Sequence, residues 1–167
     1  MVRHAFVDLE TIATSNIDSV WDDTSLPSYA VRVHDDGKIE LCPIVDNEEF
    51  SAQRRHRTAK RRLLPAGTPI TIGRHQESHI WIPEYTTGGT FVSRHHGELL
   101  CERAGNTFAW AYRNLNRQNG TYVGDAWLRG EGITIRLEAK NVVLGIPKQQ
   151  EPLTYALKIK LDLSNAF

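Results

Sequence analysis

Short apolar runs, cut at close intervals by Gly, Pro and Asn, predict an all-β fold: a two-sheet β-sandwich of short antiparallel strands with an irregular N-terminal arm. Two observations carry this reading. Tyr29, Val31 and Val33 alternate with Ala30, Arg32 and His34, and an Asp36-Gly37 step then leads to Ile39 and Leu41. Period-two alternation around Asp-Gly is a hairpin signal. Beyond Pro65-Ala66-Gly67 the β-like runs follow one another closely, and none alternates with a long helical segment.

Taken in order, residues 1–28 read as an arm. Ser, Thr, Asp and Asn dominate from Thr11 to Ser28, which fits disorder, with a short helix near Asn16 to Trp21 as the alternative. The sandwich is expected over 29–162. The hairpin opens it, and an apolar pair follows at Ile44-Val45. Residues 46–62 are polar and charged and read as a basic connector between strands; a short helix around Glu48 to Arg57 is the alternative. Strands are then expected at Ile70 to Ile72, Ile80 to Ile82, Gly97 to Cys101 and Thr107 to Tyr112. Four more are expected at Thr121 to Val123, Ile133 to Leu137, Asn141 to Leu144 and Tyr155 to Leu161. Residues 163–167 form a tail.

Composition narrows the function classes. The 167 residues suit one domain with tails, long enough to bury a substantial core. Net charge is zero, so the chain as a whole gives no argument for nucleic acid or membrane binding. No apolar stretch approaches the ~20 residues that span a bilayer. Asp8 and Glu10 interrupt the only run that could be a signal peptide. The two cysteines, Cys42 and Cys101, do not make a disulfide framework and read as small core residues of two strands. A cytoplasmic protein with reduced thiols is expected.

The chemistry-bearing residues fall in three loops. Arg74 follows Gly73 at the end of one expected strand, Ser93-Arg94 precede another, and Asn119-Gly120 lies in the polar run Asn114 to Thr121. In a sandwich such loops cluster at the ends of the sheets. Together they would offer two guanidinium groups, a hydroxyl and an amide. That set suits a phosphate, which carries about −1.5 to −2 charges and three strong acceptor oxygens on a phosphothreonine. Arginine supplies a fork that stays charged, serine a donor, and asparagine a donor and an acceptor.

The series Gly73-Arg74, Ser93-Arg94-x-His96 and Asn119-Gly120-Thr121-x-Val123, followed by Leu128 and Val143-Leu144-Gly145, resembles the signature of the forkhead-associated (FHA) domain family. The likeness covers roughly Tyr29 to Leu161. It implies a phosphothreonine-binding module that mediates phosphorylation-dependent protein–protein interaction in signalling, downstream of a Ser/Thr kinase. It implies no enzyme activity, no cofactor and no metal. By this resemblance Arg74, Ser93 and Arg94 match the phosphate-binding positions. Asn119 matches the residue that holds the peptide main chain. Gly73, His96, Gly120 and Thr121 match structural positions, the glycines permitting tight turns. Arg117-Gln118 stand where the family usually has Ser or Thr, and Phe91 stands where some members read the third residue after the phosphothreonine. Glu84 to Thr90 looks longer than the usual loop. These departures point to peptide specificity, and they leave a phosphate-independent scaffold on the same fold as the alternative function.

Other readings carry less. Ser93 beside His95 and His96 could suggest hydrolysis, but no Gly-x-Ser-x-Gly elbow or triad context accompanies it. His75 and His79 are four apart in an expected loop without Cys or carboxylate at ligand spacing, so solvent exposure is expected. The basic run at 54–62 would suit nucleic acid or an acidic membrane, but it lacks interleaved aromatics and reads as a solvated connector. It could also dock onto residues 1–28, where Asp8, Glu10, Asp18, Asp22 and Asp23 stand against one Arg3. Thr11, Thr14 and Thr24 of residues 1–28 could be phosphorylated and bind intramolecularly.

Overall fold

The Asp36-Gly37 step reverses the chain as expected. Gly37 takes a φ of 86°, its amide donates to His34 O at 2.8 Å, and Asp36 Oδ1 accepts from the Lys38 amide at 3.0 Å. On either side run β1 (Ser28–Val33) and β2 (Ile39–Ile44), antiparallel, with Val33 opposite Ile39. The computed structural model describes residues 28–44, 62–82, 92–116, 120–138, 141–147 and 155–163. Residues 1–27 of the arm, 46–61 of the connector, the loop from Glu84 to Thr90, Phe91, Arg117, Gln118, Asn119 and residues 164–167 of the tail lie outside the described residues, and the expectations made for them with these. Ser28, Arg62 and Leu163, expected in the arm, connector and tail, belong to strands.

Ten further strands follow among the described residues. They are β3 (Arg62–Leu64), β4 (Ile70–Gly73), β5 (Ile80–Trp81), β6 (Gly97–Ala104) and β7 (Thr107–Asn114), then β8 (Thr121–Val123), β9 (Ala126–Leu128), β10 (Thr134–Leu137), β11 (Asn141–Pro147) and β12 (Tyr155–Leu163). One sheet has seven strands in the order β3-β2-β1-β12-β11-β8-β9, the other five in the order β10-β7-β6-β4-β5. The described residues are all-β. Two strands escaped the sequence reading: β3, because Arg62 looked like part of the basic connector, and β9, because three residues are too few to show alternation.

The strand directions differ from the expected purely antiparallel sandwich. Both sheets are mixed, because β1 pairs parallel with β12 and β4 parallel with β5. Distance along the chain frees β1 and β12 from any turn constraint. A parallel neighbour normally needs a crossover of about a dozen residues or more. The β4–β5 loop, residues 74–79, is shorter, and β5 supplies only two residues. His79 secures the pairing. Its Nδ1 accepts from the Thr71 amide at 3.1 Å, and its own amide donates to Thr71 Oγ1 at 3.0 Å. His79 is therefore half-buried, not solvent-exposed as expected, and burial together with nearby Arg62 lowers its pKa.

Alternation sends one side of each strand into a shared core. Val31, Ile39, Leu41, Leu144 and Leu161 from the larger sheet join Ile70, Ile72, Leu99, Trp110 and Tyr112 from the smaller one, all buried in one cluster. Cys42 on β2 and Cys101 on β6 form no disulfide and are half-buried. Cys101 packs against that core, whereas Cys42, expected there too, alternates with the inward Ile39 and Leu41 and its Sγ donates to Glu40 Oε1 at 3.2 Å.

Pairing also decides which loops meet. Ile72 stands opposite Gly97, and Gly97 opposite Asn114. The end of β4, the start of β6 and the end of β7 therefore share one end of the smaller sheet. At the other end, the β6–β7 hairpin reaches the larger sheet's first turn, where Arg103 donates to Asp35 O at 2.6 Å.

Leu161 is fully buried between Tyr29 on β1 and Val142 on β11. Leu161→Ala should cost about 2–5 kcal/mol in a denaturant titration. The loss should appear as one transition that also melts β4 to β7. Two separated transitions would show that β1, β2, β3 and β12 are a separate unit.

Candidate functional site

Gly73 ends β4 because the next loop must come close. A Cβ there would collide with the Arg94 carbonyl and lie 3.0 Å from Ser93 O. Its φ is not positive, so close approach, and not a left-handed turn, requires glycine. The same holds at Gly120, where a Cβ would run into the Trp127 ring and the Leu128 carbonyl.

Across the gap that Gly73 permits, two backbone bonds tie the loops in register. Arg74 N donates to Ser93 O at 3.0 Å, and His75 N to Arg94 O at 3.1 Å. The Arg74 guanidinium is held from the same side, its Nε donating to Val92 O at 3.0 Å. Trp81 Nε1 donates to Arg74 O at 3.2 Å and braces the loop from β5. Arg74 and Ser93 are partly exposed and Arg94 exposed. The Ser93 hydroxyl and the Arg94 side chain make no hydrogen bond among the described residues. His75 and His95 stack beside them, ring centroids 5.3 Å apart.

Beneath this surface lies a buried polar network centred on His96, which is 1% exposed. Its Nδ1 accepts from the Ser93 amide at 3.1 Å and lies 3.2 Å from Asn116 Nδ2. With Nδ1 accepting, the proton sits on Nε2, which donates to Thr121 Oγ1 at 2.7 Å. Thr121 Oγ1 also accepts from Tyr112 OH at 3.2 Å and donates to Asn114 Oδ1 at 3.4 Å. Asn114 Nδ2 in turn donates to Asn116 O and Gly130 O, each at 3.0 Å. The hydroxyl of Thr121 thus uses both acceptor sites and its proton. Burial keeps the imidazole neutral, pushing its pKa down to about 3, and raises the Tyr112 phenol above its ordinary range.

The sequence-derived residues are therefore brought together in part. Gly73, Arg74, Ser93, Arg94, His96, Gly120 and Thr121 lie at one end of the sandwich, linked by the bonds above. Arg117, Gln118, Asn119 and Phe91 lie outside the described residues. Sequence reasoning missed Tyr112, Asn114 and Asn116. The two asparagines belonged to a run read only as turn composition, and nothing local marks an asparagine as buried.

Gly73→Ala should push the two loops apart. The expected result is a loss of about 1–3 kcal/mol of stability with altered amide shifts at Ser93 and Arg94; unchanged shifts there would contradict the close packing. His96 sets an acid limit. In the unfolded chain it takes a proton near pH 6.5, whereas the folded protein resists protonation down to about pH 3. Its contribution is complete above pH 6.5 and declines as pH falls toward 3, by up to about 1.4 kcal/mol per unit. Urea titrations from pH 7 to pH 4 should show a steeper loss for the wild type than for His96→Gln. Equal slopes would mean that His96 is not held neutral.

The family model for the FHA domain matches residues 70–144, from the first residue of β4 into β11. The matched stretch contains the Arg74 and Ser93-Arg94 loops and the whole His96 network. No curated protein matches the chain. Residues 70–144 are therefore similar to the FHA domain family, whose members are phosphopeptide-binding modules for protein–protein interaction.

Proposed function

We propose that the domain binds phosphothreonine peptides and so mediates phosphorylation-dependent protein association in signalling. The supporting observation is the pair of bonds Arg74 N–Ser93 O and His75 N–Arg94 O. They keep two guanidinium groups and a hydroxyl on adjoining, mutually fixed loops. Each charge-assisted bond to a phosphate oxygen is worth roughly 1.5–3 kcal/mol. Because the loops are already tied, little ordering offsets that gain. Arg74 and Ser93 serve the phosphate, Arg94 the phosphate or the peptide backbone, and Asn119 the peptide main chain. Arg117, Gln118 and Phe91 adjust specificity. The partner is a protein phosphorylated by a Ser/Thr kinase, met in the cytoplasm.

Catalysis by Ser93 is disfavoured by the same geometry. Both ring nitrogens of His96 are engaged, one by the Ser93 amide and one by Thr121, so this imidazole offers no base to the Ser93 hydroxyl.

Calorimetry with matched phosphothreonine, phosphoserine and bare peptides tests the reading. The phosphothreonine form should bind best, Arg74→Ala should remove measurable binding, and Ser93→Ala should weaken it about tenfold or more. Equal affinity for phosphorylated and bare peptides, surviving Arg74→Ala, would favour a phosphate-independent scaffold instead.

A further inference from the structure

β8 and β9 form a hairpin in which Tyr122 stands directly opposite Trp127. Thr121, Val123, Ala126 and Leu128 are buried, so alternation turns Tyr122 and Trp127 to the outer face, where both are partly exposed. Their rings lie 4.7 Å apart at 38°. Gly145, opposite Tyr122 on β11, brings no side chain to the row. β9 is the last strand of its sheet. An aromatic pair at the margin of a sheet thus offers apolar surface to solvent.

Its place is what gives it a function. The outer edge of the Trp127 indole, Cζ2 and Cη2, fills the space that a side chain on Gly120 would take. Gly120 follows Asn119 directly and precedes Thr121, which His96 ties to the Ser93 amide. The aromatic pair therefore continues the same loop end that carries the Arg74 and Ser93 cluster. Asp125 in the hairpin turn and Arg129 just past β9 are both exposed and opposite in sign, so the hairpin presents no net field for a charged group.

We propose that Trp127, backed by Tyr122, is a specificity-determining residue that takes a flat, ring-bearing side chain, proline or aromatic, from the peptide flanking the phosphothreonine. This rests on the phosphothreonine reading above. A well-placed ring contact adds about threefold to tenfold in affinity.

The test uses the full chain and a peptide set in which each position flanking the phosphothreonine is varied in turn, with unphosphorylated copies. The wild type and Trp127→Phe should prefer a ring at one flanking position by about threefold to tenfold. Trp127→Leu, which still covers Gly120, should lose that preference yet bind alanine-flanked phosphopeptides as the wild type does. Phosphate-dependent binding without ring selection, or ring selection that survives Trp127→Leu, overturns the proposal and leaves the phosphothreonine reading standing. Ring selection lost in Trp127→Leu but indifferent to phosphate keeps the Trp127 contact and removes the phosphothreonine reading. A folded protein that binds none of the peptides overturns both.

Discussion

The bonds of His96 are the constraint on which this end of the molecule depends. One ring nitrogen holds the Ser93 amide, in the loop before β6, and the other donates to Thr121, the first residue of β8 in the opposite sheet. A single side chain therefore fixes the separation of the two sheets where the loops emerge. Nearly every polar atom around it is buried, and each one left unpaired would cost about 1–3 kcal/mol. Such a network is cooperative: Thr121 can accept from both His96 and Tyr112 only while its own proton is taken by Asn114. Loosening one member exposes the rest to the same penalty, so the loops move together or not at all.

Topology makes the convergence possible. The register Ile72–Gly97–Asn114 aligns three strand ends in the smaller sheet. The parallel β4–β5 pair then folds the Arg74 loop back on itself, where the β5 residue Trp81 can brace it. At the opposite end the sheets are joined by Arg103 to the β1–β2 turn. The seven-stranded sheet contributes little chemistry of its own at the Arg74–Ser93 cluster. It supplies the wall against which β8 is held, and through β8 the position of Gly120.

The sequence made some of this legible for definite reasons. Alternation exposed the β1–β2 hairpin, because each side chain that faces inward there is apolar. Spacing exposed Gly73-Arg74 and Ser93-Arg94, because the family motif is local. Strand direction was not legible: the partner of β1 is β12, and nothing in either strand encodes a parallel neighbour more than a hundred residues away. Asn114 and Asn116 were illegible for a different reason. Asparagine is mostly a surface or turn residue, and only tertiary packing turns these two into buried donors. Gly73 and Gly120 were expected to permit tight turns, but what excludes a side chain there is the opposing carbonyl or ring and not the local backbone twist.

One consequence joins the interior to the surface. The loop bonds use main-chain groups wherever they can: the Ser93 amide and carbonyl, the Arg94 carbonyl, the Arg74 amide. Side-chain chemistry at Ser93 and Arg94 is not consumed in holding the loops. A site built the other way, with the Ser93 hydroxyl spent on the loop, would be as rigid but would have to break a bond to meet a ligand. Here rigidity and availability come from different atoms of the same residues. That separation suits recognition of an anion under the proposed function, where affinity depends on donors being in place before the ligand arrives. It also explains why a neutral, fully engaged imidazole is the right support: protonation at Nδ1 would remove the acceptor that holds the Ser93 amide.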